Sequence, residues 1–354
     1  MPARSLNMLF RKLKPNYETD KNTIHLIGLS CNSIPPKKYG GIELIISNLA
    51  KGFTKNGQRV RVYSPGTMTI EGCEHSRTLP EPTQSIQVSS IANTKEHLSK
   101  IESEMRLNCK PGDVVIFNHS DHYRYLKKKL GRIFFSRLNT YEIAHWMDAG
   151  LYRNIIYPSK ALQVLLKKDG HVIPHGEDLI FSEENNASRS QDLFYAGRIT
   201  KDKGVDIALE ACNTLGCKLR IAAPFAYTNF FNDVVNHKNV MYLGELTYQE
   251  LFLEYQKAKA FIYMTQYEEP FGLAIIEAMA AGCPVITTGK GGSGETVIEN
   301  QTGFFCNNID DIVNAYENTE NLKHSDIVSQ SKKYTVEAMV SKYDQLIRKG
   351  KVND

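Results

Sequence analysis

The chain has little of what several function classes require. In its 354 residues no apolar run approaches the ~20 residues needed to cross a bilayer. The amino-terminal residues do not read as a secretory signal, so a cytoplasmic location is expected. Its seven cysteines (Cys31, Cys73, Cys109, Cys212, Cys217, Cys283, Cys306) are scattered, odd in number and without Cys-x2-Cys spacing. That argues against a disulfide framework or a zinc site and for a reducing compartment. There is a single tryptophan, Trp146, and a net charge of only +4, with few aromatics in the basic runs. Nucleic acid is therefore not an expected partner. No Gly-x-Gly-x-x-Gly follows the first apolar strand, which disfavours a Rossmann oxidoreductase. No Asp-x-Asp follows an apolar strand, so neither an essential divalent metal nor another bound cofactor is expected.

What is present is an alternation of apolar strands and amphipathic helices, run through twice. Thr23 to Ser30, Gln58 to Tyr63 and Asp113 to Phe117 read as buried strands, and Asn154 to Tyr157 is expected to close the first sheet. Ile42, Ile45, Ile46, Leu49 and Phe53 recur at helical spacing after a loop containing Pro35, Pro36, Gly40 and Gly41. In the second half, strands near 193–196, 218–223, 239–243, 260–264 and 284–288 alternate with helices near 204–214, 247–258, 272–281 and 309–318. The pattern predicts an α/β protein of two doubly wound Rossmann-like domains. A hinge is expected at Ile173 to Asp178, where Pro174 and Gly176 break the pattern.

Chemistry concentrates in Tyr267 to Thr288, YEEPFGLAIIEAMAAGCPVITT. Glu269 and Glu277 bracket a Phe-Gly-Leu turn and the first two turns of a small-residue helix, which Gly282 and Pro284 terminate. Acids beside the amino end of such a helix cannot hold phosphate by charge. They suit hydroxyl groups on a sugar or ribose. Glu277 has Ile275, Ile276, Ala278 and Met279 as neighbours, and a carboxylate in so apolar a segment needs polar partners. Upstream, DLFYAGRITKDKG places Arg198 and Lys203 five positions apart on a turn after a strand, a fitting diphosphate clamp. Gly40 and Gly41 precede a helix whose first amides favour an anion.

These pieces resemble glycosyltransferase family 4, whose members are retaining enzymes of the GT-B fold. The matching segments are YGGIE at Tyr39 to Glu43, IPHGED at Ile173 to Asp178, GRITKDKG at Gly197 to Gly204, EEPFGLAIIEAMAAGCPVI at Glu268 to Ile286, and GSGETVIENQTGFF at Gly292 to Phe305. The Glu-x7-Glu element with its Phe-Gly core is the most specific of them. The resemblance implies a central cleft and a last helix, near 336–350, that returns to the first domain. It divides the chain into an extension (1–22), an acceptor-side domain (23–173 with 336–354) and a donor domain (174–335).

The resemblance also implies transfer of a sugar, with retention of configuration, from a UDP- or GDP-linked donor. The acceptor would be a hydroxyl of a glycan, glycolipid or lipid carrier in cell-surface polysaccharide or glycoconjugate synthesis. Gly40, Gly41, Arg198 and Lys203 would hold the diphosphate; Glu269, Phe271, Gly272, Leu273 and Glu277 would hold donor sugar and ribose; His175 would close the crevice from the linker. The family's usual histidine is not obvious. FSRLNTY puts Asn139 at its position, while Val115-Ile116-Phe117-Asn118-His119 matches an earlier histidine-bearing segment. His119, Glu269 and Asn139 are therefore the catalytic candidates, with His122 and His145 as fallbacks. A nucleotide-sugar epimerase or hydrolase, or a non-catalytic nucleotide-sugar-binding protein, would share this architecture. Arg124 to Arg137 carries six cations and no acid, and Leu6, Leu9, Phe10 and Leu13 lie at helical spacing beside Arg11, Lys12 and Lys14. Both suit peripheral contact with an anionic membrane.

Overall fold

The computed structural model describes residues 22–38, 40–83, 91–144, 154–183 and 189–350. Strands β1 Thr23–Ile27, β2 Arg59–Ser64, β3 Glu74–Arg77, β4 Val114–Phe117, β5 Asn139–Ile143, β6 Ile155–Tyr157 and β7 His171–Val172 form one sheet. Their order is β3-β2-β1-β4-β5-β6-β7. Strands β8 Leu193–Ala196, β9 Leu219–Ala222, β10 Val240–Gly244, β11 Ala260–Tyr263, β12 Val285–Thr287 and β13 Gly303–Phe305 form the other, in the order β10-β9-β8-β11-β12-β13. The pairings are parallel throughout. Each sheet reverses direction beside its first strand, and in such sheets ligands bind outside the strands' carboxyl ends at that point.

Burial on both faces explains the continuous apolar runs. Ile24 and Leu26 of β1 turn toward helix Gly41–Lys55 through Ile45, Leu49 and Phe53, while Ile27 packs with Val115, Phe117 and helices Ile91–Asn108 and Ser120–Leu130. The sequence reading missed β3, β5, β7 and β13, and β7 rather than Asn154 to Tyr157 closes the first sheet. The missed strands lack an apolar signature: β3 is EHSR, β7 has two residues, β5 carries the buried Glu142 and β13 begins at Gly303.

The chain crosses between lobes twice, side by side. Glu177 N donates to Tyr334 O at 2.9 Å and Val336 N to Glu177 O at 3.2 Å. A Cβ on Gly176 would lie 2.1 Å from Thr335 O, so this approach requires glycine. Helix Val336–Gly350 then lays Val336, Met339, Val340, Tyr343 and Ile347 into the first lobe's core, with Tyr343 edge-on to Phe53. Each such side chain contributes about 1.5–3 kcal/mol on full burial, enough to fasten the returning chain. Among the described residues no helix is long and apolar enough to cross a membrane.

Candidate active site in the interlobe cleft

A cleft of about 850 Å³ opens between the lobes, lined from both sides. From the first lobe comes the start of helix Gly41–Lys55, with Gly40 as its N-cap. Facing it is helix Leu273–Ala280, whose N-cap Gly272 has φ 93°. A Cβ on Gly41 would sit 3.6 Å from Leu273 Cδ1, so the two amino ends nearly meet. The first amides of each helix have no acceptor within it, and both ends favour negative charge. Tyr39 lies outside the described residues. Glu43 is buried beside these amides and accepts from Cys31 Sγ at 3.1 Å. Burial, then Glu43, pushes the Cys31 thiol up to about 12, so it stays protonated.

The floor of the second lobe is a polar knot. Lys203 ends a single 3-10 turn, and Gly204 beyond it has φ 68°, where an added Cβ would fall 1.8 Å from Met264 O. Lys203 Nζ lies 2.8 Å from Glu269 Oε2, donates to Tyr263 Oη at 2.7 Å and also contacts Tyr267 Oη. The same Glu269 oxygen accepts from Tyr263 at 3.0 Å and Tyr267 at 2.8 Å. Burial and the Glu269 charge push both phenols upward, so they act as donors. The sequence reading had Lys203 standing free for a diphosphate and Glu269 free for a sugar. The structure instead pairs them, because at 8% and 9% exposure neither charge is stable alone. Both still line the cleft, as does the half-buried Arg198. Gly292 N donates to Glu269 O at 2.6 Å and fixes that residue's backbone.

Glu277, one helical turn deeper, accepts from Tyr255 Oη at 3.1 Å. Its segment is buried as its neighbours predict, although the carboxyl keeps a partly open side on the cleft. Enclosure raises Glu277 to about 7. The linker residue Glu177, 2% exposed, lies against it. Phe271, Gly272 and Leu273 line the cleft, and His175 does so while packing edge-on to Phe271 at 5.3 Å.

His119 is the N-cap of helix Ser120–Leu130; its Nδ1 accepts from Asp121 N at 3.2 Å and its ring reaches the cleft. His122 stands behind it, ring centroids 5.4 Å apart. Burial, aided by His97 and His119, holds His122 well below the usual histidine range, hence neutral. Asn139 is misplaced in the sequence reading. It is the first residue of β5, at the sheet's amino end, where its Nδ2 donates to Gly112 O at 3.3 Å, and it does not line the cleft. The strand was unrecognised, so its beginning was taken for its end. His145 lies beyond the carboxyl end of β5 and outside the described residues. Reading the sequence also passed over Glu43, Glu177, Tyr263 and Tyr267. Tyr267, two residues before Glu269, and Glu177, inside the IPHGED segment, were the visible signals.

Solved structures with this geometry align over nearly the whole chain. A sucrose-phosphate synthase from Thermosynechococcus elongatus superposes with a TM-score of 0.76 at 17% identity, covering 94% of this chain and all of the other. AviGT4, a glycosyltransferase involved in avilamycin A biosynthesis, gives 0.69 at 19% identity, over 93% of this chain and 97% of that one. The fold is GT-B. Residues 177–334, nearly all of the second GT-B lobe, match the family model described as Glycosyl transferases group 1. Curated relatives match over shorter stretches. Glycogen synthase of Mycobacterium tuberculosis is 36% identical over 124 residues, 32% of this chain and 30% of that protein. The probable sucrose-phosphate synthase of Thermosipho melanesiensis is 26% identical over 201 residues, 51% of this chain and 48% of that one. The chain thus spans about a third to a half of the length of these relatives. A separate cavity of about 360 Å³ lies wholly on the second GT-B lobe. Its Arg189 is committed to the backbone carbonyls of Tyr255, Gln256, Ala258 and Gly282.

Proposed function

We propose that this protein is a retaining glycosyltransferase of family 4 type. It moves a sugar from a nucleoside diphosphate sugar to an acceptor hydroxyl of a glycan or lipid-linked glycan. The observation that carries the reading is the convergence on one cleft of Gly40, Gly41, Arg198, Lys203, Glu269 and Glu277, drawn from both lobes. The group 1 match over the second lobe supports it, as do neighbours of the same fold, one of which was solved with UDP and glucose.

In this reading Arg198, Lys203 and the two facing helix ends stabilise the charge that grows on the departing diphosphate. Lys203 turns part of its contact from Glu269 to the phosphate oxygens, and the two tyrosines keep Glu269 satisfied meanwhile. Glu269 and the amides at Phe271, Gly272 and Leu273 hold the sugar; Glu277 holds the ribose. The acceptor hydroxyl enters on the face the diphosphate leaves, and a departing phosphate oxygen takes its proton. No protein nucleophile and no metal are needed for that step. His119 supports the sugar from the first lobe, and closure about the hinge excludes water. Asn139 has no part in it, which removes the reason for favouring a non-catalytic binder.

The acceptor side has a distinctive surface. Leu107 and Ile133 are 79% and 74% exposed beside Lys128, Lys129 and Arg132. Arg106 ties the two helix ends together by donating to Lys129 O at 2.9 Å. Apolar tips among cations suit an anionic membrane carrying a lipid-linked acceptor. Flotation with anionic vesicles tests this, and binding insensitive to salt and to Lys128→Glu/Arg132→Glu would refute it.

The activity is tested by incubating the protein with UDP-, GDP- and ADP-glucose and a panel of glycan and lipid-linked acceptors. Transfer should give a product with the donor's anomeric configuration by NMR. Arg198→Ala and Glu277→Ala should each weaken donor binding by about 1.5–3 kcal/mol. Free-sugar release or epimerisation without transfer, or donor affinity unchanged in both variants, would overturn the reading.

A further inference from the structure

The linker acid Glu177 has no part in the donor reading above, on which this inference rests. Its backbone is held on both sides of the hinge by Tyr334 O and Val336 N. Its carboxyl hydrogen-bonds that of Glu277. Its Oε2 is buried without a hydrogen-bond partner, and the residue lines the cleft. A buried acceptor left unpaired costs about 1–3 kcal/mol, so this oxygen is set to gain from a ligand. The groups facing the pair are few. Tyr255 and Tyr248 approach from helix Tyr248–Lys257, Asp178 follows in the chain, and Lys51 stands 4.0 Å from Asp178. Burial pushes both phenols up, so they stay neutral beside the pair, and Lys51 is a cation acting on Glu177.

We infer that Glu177 is a second ligand of the donor's ribose, forming with Glu277 a carboxylic acid–carboxylate pair that takes the vicinal 2′- and 3′-hydroxyls. Two carboxyls in hydrogen-bond contact in a closed site share one proton. The pair then offers one donor beside several acceptors, which complements a diol, whose hydroxyls both donate and accept. Burial raises both groups, Glu177 further through the Glu277 charge, so the two protons leave in two steps and the shared one leaves at the higher. Loss of that proton leaves two like charges at the hinge and removes the donor. Affinity for the nucleotide sugar should then fall by up to about tenfold per pH unit above the higher of the pair's two apparent pKa values.

Calorimetric titration of UDP-, GDP- and ADP-glucose at about pH 6 and about pH 8.5 tests this, since the diphosphate diesters do not titrate there. Glu177→Gln, isosteric with the acid and able to donate but not to ionise, should bind within about threefold of native at both values. Glu177→Leu should bind about tenfold more weakly at the lower pH. It should also stop discriminating the 2′-deoxyribose analogue of the bound donor. Native affinity in Glu177→Leu, or binding by Glu177→Gln as weak as by Glu177→Leu, overturns the inference. Unweakened binding by Glu277→Ala, or no binding of any of the three by the native protein, overturns the donor reading itself. Weak Glu277→Ala beside a native-like Glu177→Leu overturns the inference alone.

Discussion

Replacing Lys203 by methionine separates the structural work of the polar knot from its work on a ligand. Methionine keeps most of the buried stem and deletes the ammonium, which lies 2.8 Å from Glu269 Oε2 and 2.7 Å from Tyr263 Oη. Removing one partner of a buried ion pair costs about 3–5 kcal/mol. Here Glu269 keeps two phenol donors, at 3.0 and 2.8 Å, so a loss near the lower end, about 3 kcal/mol, is expected. A domain of ordinary stability survives that. Glu269→Gln on top of Lys203→Met removes the stranded charge and should restore about 2 kcal/mol. Donor binding should respond differently. Loss of one charge-assisted contact to phosphate is worth about 1.5–3 kcal/mol, roughly 10–150-fold in affinity, and the second substitution cannot return it. Urea unfolding gives the first quantity and calorimetry with the tightest nucleotide sugar the second. Native donor affinity in the double variant would mean that Lys203 acts only by seating Glu269, and the diphosphate role would be wrong.

Asn139→Ala should leave turnover within about twofold of native and cost no more than about 1.5 kcal/mol, one neutral hydrogen bond, in thermal unfolding; a large drop in kcat would contradict the placement. Glu295 of the second lobe accepts from Lys160 N at 3.0 Å and Ala161 N at 2.5 Å, the amino end of a first-lobe helix. Glu295→Ala should loosen the closed form by about 1 kcal/mol, seen as a larger radius of gyration by small-angle scattering and a higher KM. The Glu177–Glu277 pair also predicts a stability profile. A carboxyl raised from 4.5 to about 7 in the folded state makes the native form hold the extra proton between those values. Stability therefore falls as pH rises through that window, by on the order of 2 kcal/mol once cleft water is allowed for. Glu277→Gln should melt above the native protein at about pH 8, with the two curves merging near pH 4.5; a difference independent of pH would refute it.

Elements with both faces buried were legible because the apolar run and its flanking glycines sit in one short stretch. Helix Leu273–Ala280, ending at Gly282 with φ 74°, and β12 after it are of this kind. Strand β5 was not, since NTYEI spreads its polar residues along the run and buries Glu142 at 1% exposure through tertiary surroundings. One unread strand was enough to carry Asn139 to the wrong end of the sheet. In a parallel sheet the two ends have opposite meanings, the carboxyl end facing ligand and the amino end facing away.

Site residues were legible for a different reason. Glu269 and Glu277 announce themselves by bracketing the amino end of a small-residue helix, where a carboxylate has no structural purpose that the local sequence supplies. Their partners come from distant positions and have no such mark. Tyr263 is the last residue of an apolar strand, Lys203 closes a turn 66 residues before Glu269, and Glu177 lies in the linker. Each of the two glutamates is matched in space by a group that changes its charge state or neutralises it, a lysine for Glu269 and a second acid for Glu277. The two ends of the motif are thereby set to different tasks. At the ion-paired end the lysine and the carboxylate neutralise each other. The acid-paired end holds a proton it can lose, so it is the end at which pH should act. A sequence motif with two identical residues therefore carries an asymmetry that only the partners reveal.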